Sequence, residues 1–127
     1  MKRLKLLALA SALVCSLALA QAPIKVGFVG GQSGSFIQIE PAKMVKAYFE
    51  RVNAQGGING RKLELYAEDD QTNPASAGQA ARRLVDDIGV VANVGSTSAM
   101  ECSVNGAYYV QKGIVSVQGT GVDPLCF

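Results

Sequence analysis

The 127-residue chain contains no histidine and no tryptophan. Without histidine, neither a Ser-His-Asp triad nor a Cys-His pair can be assembled, and most zinc sites lose a preferred ligand. No low-complexity segment or tandem repeat interrupts the chain. Cysteine is scarce, at three residues, and the small basic excess of +2 has a local origin.

That origin is the first twenty residues. Lys2, Arg3 and Lys5 form a basic start, and Leu6 to Ala20 is an uncharged apolar run ending in Ala18-Leu19-Ala20. This is the pattern of a secretory signal peptide with a small-x-small cleavage site. Cleavage after Ala20 is expected, so residues 1–20 are read as leader and 21–127 as the mature segment. A cut after Ala22 also fits the pattern but would leave Pro23 first. A lipoprotein signal at Cys15 is the rival, and Val14 before it is larger than that processing favours. The apolar run is short for a permanent membrane span. With the leader gone, nine Lys/Arg face ten Asp/Glu, a net charge of −1. That balance gives no electrostatic case for nucleic acid or an anionic membrane surface.

Cys102 and Cys126 are the two cysteines left in the mature segment. An even pair in an exported chain predicts a disulfide, with two buried free thiols as the alternative. Closing a loop of about 25 residues stabilises by about 3 kcal/mol in the chain-entropy view. A mature segment of about 105 residues suffices for one small domain with its own core.

Strands and helices alternate along the sequence. Ile24 to Val29 (IKVGFV) is a continuous β-rich run, the signature of a strand buried on both faces. From Pro41 onward, Val45, Tyr48, Phe49 and Val52 share one helical face, and Gly56-Gly57 can end that helix. Ile58 is expected to tuck back as an apolar anchor, with Asn59-Gly60 as a tight turn into the strand Lys62 to Glu68. Asn73-Pro74 reads as an N-cap with proline at the first helical position. Ala77, Ala81, Leu84, Val85 and Ile88 form the next apolar face, which Gly89 stops. Val90 to Val94 is a third strand. Ser98-Ala99-Met100-Glu101 matches a capping box opening a helix to about Gln111, and Ile114 to Val117 is a fourth strand. Strict alternation with short connections predicts an α/β fold: a parallel sheet with helices on both faces.

Ligands of such sheets bind beyond the carboxyl ends of the strands. Here those ends are residues 30–35, 69–71, 95–99 and 119–122, three of them rich in Ser, Thr and Gly. Gly30-Gly31-Gln32-Ser33-Gly34 lacks dinucleotide-binding spacing, and residues 31–35 lack the last glycine of a nucleophile elbow. No cofactor is expected. Asp69 and Asp70 are adjacent on a strand and point to opposite faces, so a solvated strand end suits them better than a catalytic pair. Ser98 has two compatible readings, as a helix cap and as part of an anion-holding helix start. Tyr108 and Tyr109, in mid-helix, are read as packing residues.

The stretch from Asn53 to Lys62 (NAQGGINGRK), followed by Glu68-Asp69-Asp70-Gln71, resembles the branched-chain amino-acid-type substrate-binding proteins of bacterial ABC transporters. Ile24-Lys25-Val26-Gly27, Ser33-Gly34, Asn73-Pro74 and the turn from Gly95 to Ser98 extend the likeness to nearly all of Ile24 to Pro124. The resemblance implies a type I periplasmic binding fold, in which two hinged lobes close on a small polar ligand, an amino acid or related carboxylate. It also implies a non-enzymatic, periplasmic, monomeric receptor that serves a membrane permease. Ligand-binding positions implied at the strand ends are Ser33, Thr97, Ser98, Ala99, Thr120 and Gly121. Ala99 and Val122 depart from the hydroxyl residues that amino-acid-binding relatives tend to carry. The Cys102/Cys126 spacing also differs from the disulfide common in leucine-binding relatives. The family's lobe needs a fifth strand, a hinge and a second lobe, so the chain is expected to be an incomplete amino-terminal lobe. An exported sensory domain on the same fold is the alternative, and a secreted hydrolase is disfavoured by the missing histidine.

Overall fold

The computed structural model describes residues 21–119 and 123–126. The leader read over residues 1–20, and Thr120, Gly121 and Val122 of the last turn, lie outside them.

The described elements are β1 (Ile24–Gly30), α1 (Glu40–Ala54), β2 (Leu63–Asp69), α2 (Pro74–Arg82), β3 (Ala92–Ser96), α3 (Glu101–Lys112) and β4 (Val115–Gln118). A π-helical turn, Arg83–Ile88, continues α2, and a 3₁₀ turn, Pro124–Cys126, follows β4. The strands run parallel in the order β2-β1-β3-β4. This is the α/β sheet the alternation predicts, with α1 on one face and α2 and α3 on the other. Every strand ends one or two residues later than its apolar run implies, because the ladder continues into Gly30, Asp69, Ser96 and Gln118.

The helix boundaries have local causes. Asn73 caps α2, its Oδ1 accepting from the backbone N–H of Ala75 at 2.8 Å and of Ser76 at 3.3 Å. Gly89, with φ of 75°, closes the π turn in the left-handed region. Between α1 and β2, Asn53 behaves like a missing strand residue. Its Nδ2 donates to the Leu63 carbonyl and its Oδ1 accepts from the Leu63 N–H, both at 2.8 Å. The turn Ile58–Arg61 is closed by reciprocal backbone bonds of 2.8 and 3.0 Å. Ile58 does not tuck back: it is 46% exposed, because the two-residue bridge points its side chain outward.

Two apolar layers hold the sheet. Val26, Phe49 and Leu63 pack under α1, joined by half-buried Val45 and Val52. Val29, Ala80, Leu84 and Val90 pack under α2. Tyr48, expected on the buried face of α1, is 63% exposed instead. No helix among the described residues is long and apolar enough to cross a membrane.

Candidate functional site

Parallel pairing places the carboxyl ends of all four strands along one edge. At the β1–β2 corner, Asp69 stands opposite Gly30 in the ladder. Its Oδ1 accepts from the backbone N–H of Gln32 (2.8 Å), Ser33 (3.2 Å) and Gln71 (2.9 Å), and its Oδ2 accepts from Ser33 Oγ at 2.6 Å. Partial burial would raise this carboxyl, but the Ser33 hydroxyl and the three amides outweigh it and hold Asp69 below the ordinary carboxylate value. Asp70 is 1% exposed and accepts from the Thr72 N–H at 2.8 Å. The expected solvated strand end is therefore a clamp. The two acids do point apart, as strand geometry requires, but one grips the neighbouring loop and the other is buried.

At the end of β3, Ser96 Oγ donates to the Val29 carbonyl at 2.7 Å, tying β3 to β1. Thr97 is buried, and its Oγ1 has no partner among the described residues. It lies against Gly30, where an added Cβ would come within 2.6 Å of that oxygen, so this position needs glycine. Ser98 is also buried, and its Oγ accepts from the Met100 N–H at 3.3 Å. Ala99 is exposed. Ser33, Thr97, Ser98 and Ala99 thus lie at the ends of neighbouring strands, while Thr120 and Gly121 fall outside the described residues.

The expected capping box does not form. Met100, whose side chain has no good acceptor, is the N-cap of α3 and makes no side-chain cap bond; Ser98 Oγ accepts from the Met100 N–H, and Glu101 turns inward. The Ser103 N–H of the first turn is taken instead by Asp123 Oδ2 at 2.8 Å, from beyond β4. Burial would raise Asp123, yet the amides of Ser103 and Leu125 keep it below the ordinary carboxylate value. A carboxylate of the chain itself already sits at this helix start, where an anionic ligand group was expected to gain from the dipole.

Glu101 is 0% exposed. Tyr109 donates to its Oε1 at 2.6 Å, and Asn105 Nδ2 reaches both its Oε2 and the Ala77 carbonyl at 3.2 Å. Burial pushes the Glu101 carboxyl up to about 7; Tyr109 and Asn105 oppose this, and the charges of Asp70 and Asp123 add to it. Burial and the neighbouring Glu101 also push the Tyr109 phenol upward. Tyr109 packs as expected, with a polar duty added. A sequence signal for this group existed: Glu101, Asn105 and Tyr109 are spaced i, i+4, i+8, one face of a helix. Nothing comparable announced the cap supplied by Asp123.

Cys102 and Cys126 are disulfide-bonded, with Cα atoms 5.3 Å apart. The bridge fastens the first turn of α3 to the segment after β4. Asp123 lies beside these sulfurs, but a disulfide offers no thiolate, so the cluster is not a metal-binding set.

A family profile described as periplasmic binding protein matches residues 23–126. An amino acid binding protein of Pseudomonas aeruginosa is 35% identical over 75 residues, covering 59% of this chain and 20% of that protein. A Leu/Ile/Val-binding protein of Escherichia coli K12 is 32% identical over 103 residues, 80% of this chain and 28% of that protein. Among solved structures, the branched-chain amino acid transporter substrate binding protein of Streptococcus pneumoniae, in complex with isoleucine, superposes with a TM-score of 0.64. It is 26% identical, over 79% of this chain and 30% of that one. The chain therefore spans between a fifth and a third of the length of these relatives.

Proposed function

The chain belongs to the periplasmic binding protein family, and on that premise we propose that it captures a small polar ligand, an amino acid or related carboxylate, for the permease of an ABC importer. Members of this family are substrate-binding proteins and not enzymes. The family also implies a periplasmic location. The observation that carries the reading is the match over residues 23–126 on a sheet whose hydroxyl-bearing turns, at Ser33 and at Thr97-Ser98, share one edge.

In this reading residues 1–20 are a cleaved leader and residues 21–127 are part of the amino-terminal lobe. A second lobe closes over the ligand, which meets Ser33, Thr97, Ser98 and Ala99 on one side together with Thr120 and Gly121. Such closure buries a ligand between lobes, so one lobe supplies only part of the contacts.

Calorimetry with a panel of amino acids, amides and aromatic acids tests the proposal, on the 127-residue chain and on the longer protein that carries it. Weak or absent binding by the chain is expected, against clear binding by the longer protein. Replacing Ser98 and Thr120 together by alanine weakens that binding without unfolding. Unchanged affinity in the double variant puts the ligand elsewhere, and tight binding by the 127-residue chain sinks the two-lobe mechanism.

A further inference from the structure

Every hydroxyl at a ligand site has one proton and two lone pairs, so its polarity toward a ligand depends on where the proton already goes. At Ser33 the proton goes to Asp69 Oδ2, at 2.6 Å. The same carboxylate holds the Ser33 and Gln32 amides, so the side chain and backbone of Ser33 are fixed by one residue on a neighbouring strand. The turn that follows Asp69 supports the grip. Thr72 Oγ1 accepts from the Phe36 N–H at 3.1 Å, and Gln71 and Thr72 both adopt left-handed φ values, 53° and 54°. Non-glycine residues hold that conformation only where their surroundings demand it. Ser33 itself is exposed at the strand-end edge.

We propose that Asp69 is the positioning residue of the β1–α1 loop and that it presents Ser33 to the ligand as a hydrogen-bond acceptor. This corner of the site then takes a donor, an ammonium or amide N–H, and turns a carboxylate away. The negative charge of Asp69 next to Ser33 acts in the same direction. Ser98 is the converse: its oxygen already accepts from Met100, which polarises its hydroxyl toward donation. Two serines on one edge thus have opposite polarity, and that orients a ligand carrying both a donor and an acceptor. The inference rests on the binding role proposed above.

The test compares Ser33→Ala, Asp69→Asn and the double variant in the whole protein, with two readouts. The first needs no ligand: amide hydrogen exchange at Gln32 and Ser33, with Phe28 and Val29 as core references. In Asp69→Asn the two loop amides should exchange at least about tenfold faster, the scale of one lost charge-assisted bond, with the references unchanged. Unaltered loop exchange overturns the positioning role whatever the ligand. The second readout is calorimetry with L-leucine, leucinamide (no carboxylate) and 4-methylpentanoate (no ammonium). Either single change should weaken L-leucine about tenfold, and the double variant should lose no more than either single one, since Asp69 acts through Ser33. The preference for leucinamide over 4-methylpentanoate should shrink. Additive losses, or an unchanged preference, overturn the polarity of Ser33. If the unaltered protein binds none of the three probes, the polarity assigned to Ser33 falls, the binding role is decided by the wider panel above, and the exchange readout still decides the clamp. Should Asp69→Asn fail to fold, Ser33→Ala tested on the same probes decides the polarity, and restored loop protection in Asp69→Glu decides the positioning.

Discussion

The two faces of the sheet are covered differently. Under α2 and α3, Leu84 and Ala81 are sealed at 0% exposure, and Glu101, Asn105 and Tyr109 satisfy one another in the same layer. Under α1, Phe49 reaches the core, but Met44 stays 71% and Tyr48 63% exposed. With Val94 and Gly95 these two line an open groove of about 420 Å³. Composition does not explain the contrast, since both faces receive apolar side chains from the same strands. One helix shades a strip of sheet; two side by side keep water from Ala81, Leu84 and Glu101 beneath them. Only the second arrangement is dry enough to shift a carboxyl far from its solution behaviour.

The comparison makes graded predictions. The largest effect belongs to Leu84→Ala, which removes the Cγ and both Cδ atoms from the sealed layer and should cost about 3–4 kcal/mol in denaturant unfolding. A loss below about 1 kcal/mol would mean that this layer is no tighter than the other. Next comes pH. The folded Glu101 carboxyl lies near 7 against an ordinary 4.5, so the folded state holds its proton more tightly than the unfolded chain does. Stability from this group is fully present below the ordinary carboxylate range and is lost as pH rises through about 7, by at most about 3 kcal/mol. Unfolding measured between pH 4.5 and 8 should show that decline, and Glu101→Gln should flatten it. A variant with the original slope would assign the titration elsewhere. The smallest effect is Met44→Ala on the open face, within about 0.5 kcal/mol. A larger loss there would erase the contrast between the faces.

Much of this architecture was readable from residue order. The buried strand β1 announces itself as a continuous β-rich run from Ile24 to Val29, and Asn73-Pro74, Gly56-Gly57 and Gly89 mark helix ends by backbone chemistry that does not depend on tertiary contacts. Ser98-x-x-Glu101 shows where such reading stops. The spacing suits a capping box, but a buried Tyr109 and Asn105 on the same helix face drew Glu101 inward, and a contact between turns of one helix outcompeted a contact at its end. Asp69 and Asp70 differ from the expected solvated strand end for a related reason. Strand geometry shows that they diverge, but not that the amides of Gln32 and Ser33, 37 and 36 positions away, fold back onto Asp69. The candidate site was therefore legible as a place, the strand ends, and not as a set of hydrogen bonds.

The bridge between Cys102 and Cys126 encloses nearly all of α3 and the whole of β4, with a sequence separation of 24. A single protease nick inside that loop would leave one molecule, not two. The exposed stretch around Lys112 and Gly113, between helix and last strand, is a natural place for one. A chain cut there migrates as intact on a non-reducing gel and separates into two pieces only when reductant is added. In an oxidising compartment, damage at this corner is held together until the thiols are freed.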